Sequence, residues 1–269
     1  MFEKKVKRKM HRDASTANFF WRRELRVVLV APRNPLNIGA AARAMANFGC
    51  TRLRVVNPYE VAFREARSAV GAAPLLASAE EFTTVAAAVA DCALVVGTTA
   101  VGHRELQHPL RRLESGARLM RQAAGPIALL FGSEKFGLSN EDMSHCHWLM
   151  RIPTVDLNRS MNLGQAVAVC LYELARDPRA AATRPEKPKA AAARPEKRKA
   201  ALAADTEQIT AMLVEALERS GYIKPLTAAS AKAKVRRLVR RLNLTARDAP
   251  VVLGMLRQIL WKLGGAKEG

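Results

Sequence analysis

Acidic and aromatic residues are scarce in this chain. Among 269 residues, 24 Asp and Glu face 44 Lys and Arg, giving a formal charge of +20, and aromatics make up 5%. No run of 18 apolar residues occurs, so a transmembrane helix is not expected. The basic start MFEKKVKRKMHRDAS has no apolar stretch behind it and does not read as a secretory signal. The four cysteines, at positions 50, 92, 146 and 170, are widely spaced and mostly flanked by apolar residues. That is reduced, core-type usage, which excludes a disulfide scaffold and leads to the cytoplasm as the expected location. A P-loop is also missing, because Gly137 is followed by Leu138 and Ser139. No G-x-G-x-x-G follows the first strand, which disfavours a nicotinamide site. His145, Cys146 and His147 look metal-like, but adjacent residues do not readily ligate one ion and no second cluster exists. No metal is expected. The apolar share, 49%, is ample for a core.

The positive charge is unevenly placed. Residues 1–26 hold nine Lys and Arg against three acids, and residues 27–175 hold fourteen against twelve. Residues 176–201 again hold nine against three, and 202–269 hold twelve against six. A nearly neutral middle thus carries three basic attachments, for which a polyanion is the natural partner. Solubility or loose attraction to a membrane surface is the plainer alternative. Charge alone does not separate RNA from DNA.

Apolar stretches at 25–31, 53–56, 93–96, 127–131 and about 149–152 read as buried strands. Helices are expected near 39–48, 60–70, 79–90 and 162–176. The alternation indicates an α/β domain with a parallel sheet over 25–176, preceded by a basic arm at 1–24. Residues 177–201 repeat R-P-E-K at Arg184 and Arg194 and lack an apolar face, so they read as a disordered basic linker. A small all-helical domain follows over 202–265. Its expected apolar faces run through Ile209, Leu213, Ala216 and Leu217, then Val235, Leu238, Val239 and Leu242, then Leu253, Leu256, Ile259, Leu260 and Leu263. The basic surface around Lys232, Lys234, Arg236, Arg237, Arg240 and Arg241 is a candidate for contact with nucleic acid, or an ordinary solvated face.

Three polar loops at predicted strand ends could converge on a ligand. In the first, Asn37 can cap the following helix, Gly39 allows close approach at its start, and Arg43 lies one turn inside. Arg43 could be simply solvated, or could hold a phosphate or organise a hydroxyl. In the second, F-G-S-E-K-F-G-L-S-N-E at 131–141, Glu134 could orient an arginine or close a turn. In the third, N-R-S-M-N-L-G at 158–164, Ser160 and Asn162 could cap a helix or face a ligand.

Together these blocks resemble the knotted RNA ribose 2'-O-methyltransferases of the SPOUT superfamily (the TrmH family). The first motif is similar to Asn37-Ile38-Gly39 with Arg43, and the second to Leu130 through Leu138. The third is similar to Ile152-Pro153 with Ser160-Met161-Asn162-Leu163. The resemblance implies a SPOUT-type parallel sheet whose C-terminal part, about 127–172, forms a trefoil knot around S-adenosylmethionine. Thr98, Thr99, Ala100, Gly132, Ile152, Arg159, Ser160 and Met161 would meet that cofactor. Arg43 would be catalytic, as general base or as an electrostatic element, supported by Asn37, Glu134, Ser160 and Asn162. The family implies methyl transfer without a catalytic metal and a site completed across a homodimer interface. The helical tail resembles a subgroup acting on cytidine or uridine 32 of tRNA, so tRNA is the expected partner. The loop from Thr98 to Arg104 is one residue longer than the family pattern, and Arg104 is taken as its RNA contact. A ribosomal RNA 2'-O-methyltransferase, a non-catalytic RNA-binding or ribosome-assembly protein, and a DNA-binding regulator are the competing readings.

Overall fold

The computed structural model describes residues 24–61, 63, 73–100, 106–155, 160–176 and 199–265. The N-terminal arm, most of the linker, Arg104 and Arg159 lie outside the described residues. Seven strands form one sheet: β1 (Leu25–Val30), β2 (Arg52–Val56), β3 (Glu80–Phe82), β4 (Leu94–Thr98), β5 (Leu110–Arg112), β6 (Ile127–Phe131) and β7 (Trp148–Arg151). Their order is β3-β2-β1-β6-β4-β7-β5, and every pairing is parallel. β1 and β6 are buried along their whole length, as expected of uninterrupted apolar runs covered on both faces.

The expected α/β class is met, with three local differences. Residues 80–82 are an edge strand, and only Val85–Ala88 is helical, so the single helix expected at 79–90 is absent. Pairing with β2 decided this, because Arg54, Val55 and Val56 register with Glu80, Glu81 and Phe82. β5, Leu-Arg-Arg, is too short and too charged to show strand periodicity. The first helix, α1 (Pro35–Asn47), begins earlier than expected, and Asn34 caps it by accepting from Leu36 N at 2.9 Å. Asn37 is therefore inside the first turn, and its side chain is free for another task.

Among the described residues six more α-helices follow in order: α2 (Ala73–Ala77), α3 (Val85–Ala88), α4 (Leu113–Gln122), α5 (Asn140–Ser144), α6 (Leu163–Ala175) and α7 (Ala203–Arg219). After a 3-10 turn come α8 (Ala228–Arg241) and α9 (Asp248–Gly265). α1 packs against α6 through alanines and glycine: a Cβ on Gly164 would lie 2.5 Å from the Ala40 Cβ. At Gly39, by contrast, a Cβ would meet nothing within 4 Å, so the close approach expected there belongs to Gly164.

The helical tail is docked on the sheet domain. Ala203 N donates to Cys92 O at 2.8 Å, and Ala204 N to Ala90 O at 3.0 Å. Ala201 is buried and Ala200 bridges to Thr245, so the last residues assigned to the linker belong to the helical unit. On α8 the expected apolar stripe is half realised. Val239 is buried with Ile209, Leu253 and Leu256, but Leu238 and Leu242 are exposed. Arg236 and Arg240, expected on a phosphate-binding surface, are instead each 2% exposed. Arg236 donates to Glu141 Oε1 at 2.6 Å, to Ser144 Oγ at 2.8 Å and to both Glu207 oxygens at 2.8 to 3.1 Å. Burial pushes the Arg240 guanidinium down to about 10 despite Glu207 nearby. Hydrophobic periodicity could not reveal this, because carboxylates on α5 and α7 turn these two positions inward. Replacing Glu207 by Gln should destabilise the protein by about 1–3 kcal/mol, because a buried guanidinium loses its charged acceptor. Urea unfolding of the two proteins measures the difference.

Candidate active site

The C-terminal ends of β4, β6 and β7 open onto a cavity of about 310 Å3. This is the side of a parallel sheet where ligands bind. Three loops line it: Thr98 to Ala100, Phe131 to Leu138, and the segment from Met150 through Ile152 and Thr154 to Ser160, Met161 and Leu163. The first loop is fixed by Thr98 Oγ1 donating to Leu130 O at 2.9 Å and by Thr99 N donating to Met150 O at 2.9 Å. The second folds on itself. Gly137 has φ +67°, and its amide donates to Ser133 O at 2.8 Å. A Cβ at Gly132 would lie 2.0 Å from the Gly137 carbonyl carbon and 2.1 Å from Leu138 N. Only glycine permits that fold.

A carboxylate joins this loop to the first helix. Glu134 accepts from the Arg33 and Asn34 amides and from Asn37 Nδ2, each at 3.1 Å. Partial burial pushes its pKa up, but these hydrogen bonds and one from its own amide outweigh that, so the carboxyl is held below its ordinary range. Asn162 Nδ2 donates to Asn37 Oδ1 at 2.6 Å, and Asn162 Oδ1 accepts from Gln165 N at 3.3 Å, capping α6. Glu134 thus holds the start of α1 and orients no arginine side chain among the described residues. Asn37, whose expected cap is made by Asn34, bridges Glu134 and Asn162.

The structure brings together Asn37, Glu134 and Asn162, and places Thr98, Thr99, Ala100, Gly132, Ile152, Ser160 and Met161 around the cavity. Arg43 is not among its lining residues: it is exposed, further along α1, with no hydrogen bond or ion pair among the described residues. Lys232, Lys234 and Arg241 are exposed and Arg237 is half-buried, far from the role that Arg236 and Arg240 take as buried struts. Lys135 and Phe136, for which no role is expected from sequence, also line the cavity, with the ammonium 5.1 Å from the ring centroid. Their place between two glycines at a strand end was the available signal. The metal-like trio is structural. His147 Nδ1 accepts from Val95 N at 3.0 Å, and burial holds that imidazole near 3. Burial pushes the Cys146 thiol up to about 12, which leaves it no nucleophilic character at neutral pH.

Residues 24–172 match the SpoU rRNA methylase family. A tRNA (cytidine/uridine-2'-O-)-methyltransferase, TrmJ, of Yersinia pestis (strain Pestoides F) is 34% identical over 238 residues, spanning 87% of this chain and 91% of that relative. The crystal structure of TrmJ from Z. mobilis ZM4 is similar with a TM-score of 0.74 and 30% identity, covering 87% of this chain and 97% of that one. A probable methylase family protein from Haemophilus influenzae Rd KW20 gives a TM-score of 0.52 and 26% identity over 91% of this chain and 99% of that one. The chain belongs to the SpoU rRNA methylase family, whose members use S-adenosylmethionine as methyl donor.

The residues present fit that cofactor. The cavity has the size of a small-molecule site, is rich in loop backbone for the polar edges of a nucleoside, and offers Ile152, Met161 and Leu163 as apolar walls. Gly132→Ala should weaken S-adenosylmethionine binding at least tenfold, because its methyl group would force the Gly137–Leu138 backbone to move. Isothermal calorimetry, with thermal melting as the control for folding, checks this.

Proposed function

We propose that the protein transfers a methyl group from S-adenosylmethionine to the ribose 2'-hydroxyl of cytidine or uridine 32 in the tRNA anticodon loop, in the cytoplasm. The observation that carries this reading is the Glu134–Asn37–Asn162 chain of hydrogen bonds at the cofactor cavity. It ties together three polar loops that a generic α/β fold has no need to join. Support for tRNA comes from the relatives, since their likeness runs past residue 172 and takes in most of this chain. The family description favours ribosomal RNA as the second reading.

S-adenosylmethionine supplies an electrophilic methyl group when bound. The loops of Thr98 to Ala100, Gly132, Ile152 and Arg159 to Met161 would hold it, so that binding fixes the direction from which a hydroxyl must approach. Glu134 and Asn162 keep α1 and α6 in place against the cavity, and Ser160 stands at its edge. Arg43 meets the hydroxyl and its neighbouring phosphate, favouring loss of the proton and aligning the oxygen. Because Arg43 lies outside the cavity of its own chain, a second copy completes the site. Leu36, 79% exposed at the start of α1, and Tyr172, 58% exposed on α6, offer apolar surface for that homodimer. The trefoil knot belongs to the same reading, supported by the three loops that meet at one cavity.

Arg43→Ala should abolish methyl transfer to tRNA while leaving cofactor affinity and the dimer unchanged, as read by radiolabel incorporation, calorimetry and light scattering. Full activity in that variant would refute the assignment. Ribose-methylation mapping of total RNA from cells with and without the protein tests the target: loss of methylation at tRNA position 32 is expected, and loss confined to ribosomal RNA selects the second reading.

A further inference from the structure

The edge strand β5 presents an arrangement that packing does not explain. In its parallel register with β7, Arg112 sits directly opposite Arg151. Like charges so placed repel and weaken a strand pair. Both side chains are exposed, and among the described residues Arg112 has one carboxylate neighbour, the half-exposed Glu114 at 3.5 Å, while Arg151 has none.

Strand alternation places this pair on a definite face. Arg151 lies two residues beyond Leu149, whose side chain packs with Leu130, Cys146 and Ala203. Arg112 and Arg151 therefore project from the face of the sheet that carries the helical unit. That unit brings its own cations to the start of the same strand. α8 packs on α5 through Arg236, and the exposed Arg241 and half-buried Arg237 lie near His108, two residues before β5. The His108 imidazole is held near 4, first by burial and then by those two guanidinium charges. From His108, in a bend, to Arg112 at the end of β5 the chain can reach at most roughly 13 Å. At the other end, Arg151 is followed directly by Ile152, a wall of the cofactor cavity.

We propose that Arg237, Arg241, Arg112 and Arg151 form a continuous track for the phosphate backbone of a single RNA strand, leading from the helical unit to the cofactor cavity. The proposal rests on the methyltransferase reading for the RNA and adds the path it takes. Arginine suits the task, since its planar fork grips phosphate oxygens without reading sequence. Anionic phosphate also relieves the repulsion between Arg112 and Arg151. The helical unit then does more than add charge: its docking aligns α8 with the edge strand.

The test uses the full-length protein and a fluorescently labelled, unmodified tRNA transcript, with anisotropy titrations between about 50 and 200 mM KCl. The double variant Arg112→Gln/Arg151→Gln should bind about tenfold more weakly at ~0.1 M salt, and its log–log salt slope should be shallower by about 1.4, from roughly 0.7 per lost single-strand contact. Arg112→Lys/Arg151→Lys should retain most of the wild-type slope. S-adenosylmethionine affinity, measured by calorimetry, should be the same in all three proteins, which shows that the cavity is intact. Unchanged tRNA affinity and slope in the double Gln variant would overturn the track. So would aggregation of that variant with unchanged binding, because the arginines would then only guard an open sheet edge. If tRNA binding depends on the pair but no methyl group is transferred, the track stands and the methyltransferase reading falls.

Discussion

One carboxylate governs how the site is assembled. Glu134 sits in a loop closed by Gly132 and Gly137, yet its acceptor oxygens are used by the amides of Arg33 and Asn34 and the side chain of Asn37. Those amides lie immediately before α1, at its N-cap and the residue ahead of it, where the helix dipole favours a negative charge. A single ionised side chain therefore locks the end of β6 to the helix after β1, across about a hundred residues of sequence. Asn37 passes the link to Asn162 and so to the cap of α6. The cavity has fixed walls because these three segments cannot shift independently.

The second constraint is the docking of the helical tail. Across that boundary Arg236 on α8 reaches Glu141 and Ser144 on α5, and the Ala203 and Ala204 amides donate to the Cys92 and Ala90 carbonyls. Within the tail, Glu207 on α7 pairs with Arg236 and lies 3.9 Å from Arg240. Buried ion pairs of this kind contribute modestly to stability but specify geometry, since misplacing them leaves a charge without a partner. Two of the six cations expected on the RNA-facing surface of α8 are thereby used as interior struts. Of the remaining four, Arg237 and Arg241 lie near His108, two residues before β5. Charge that looks like one basic patch in sequence is divided between structural and exposed roles.

The strands that were legible in sequence are the buried ones. Residues 25–30 and 127–131 are uninterrupted apolar runs, and parallel sheets covered on both faces require such runs. Edge strands escaped because Glu80–Phe82 and Leu110–Arg112 have no buried face of their own and exist through pairing with β2 and β7. The site residues were legible as types and as motifs, but their connections were not. Asn37 read as a helix cap because Asn before an apolar helix usually caps it, whereas Asn34 had already taken that position. Glu134 offered two readings in sequence, and it does a third thing by satisfying the start of a distant helix.

Composition and local pattern by themselves determined the α/β class, the parallel core, the helical tail, the reduced cysteines and the attraction to a polyanion. These follow from chemistry that each residue carries wherever it lies, such as apolar periodicity, strand-length runs and net charge. Tertiary structure alone decided which arginines face solvent, which asparagine caps and which one bridges, and which glycine is crowded. Those outcomes depend on partners far away in the chain. Gly164 meets Ala40, Arg236 meets Glu141, and Glu134 meets Asn37. A sequence records what each residue can do, and packing selects which of those capacities is used, because a polar group taken from water is costly unless it finds a partner in the folded chain.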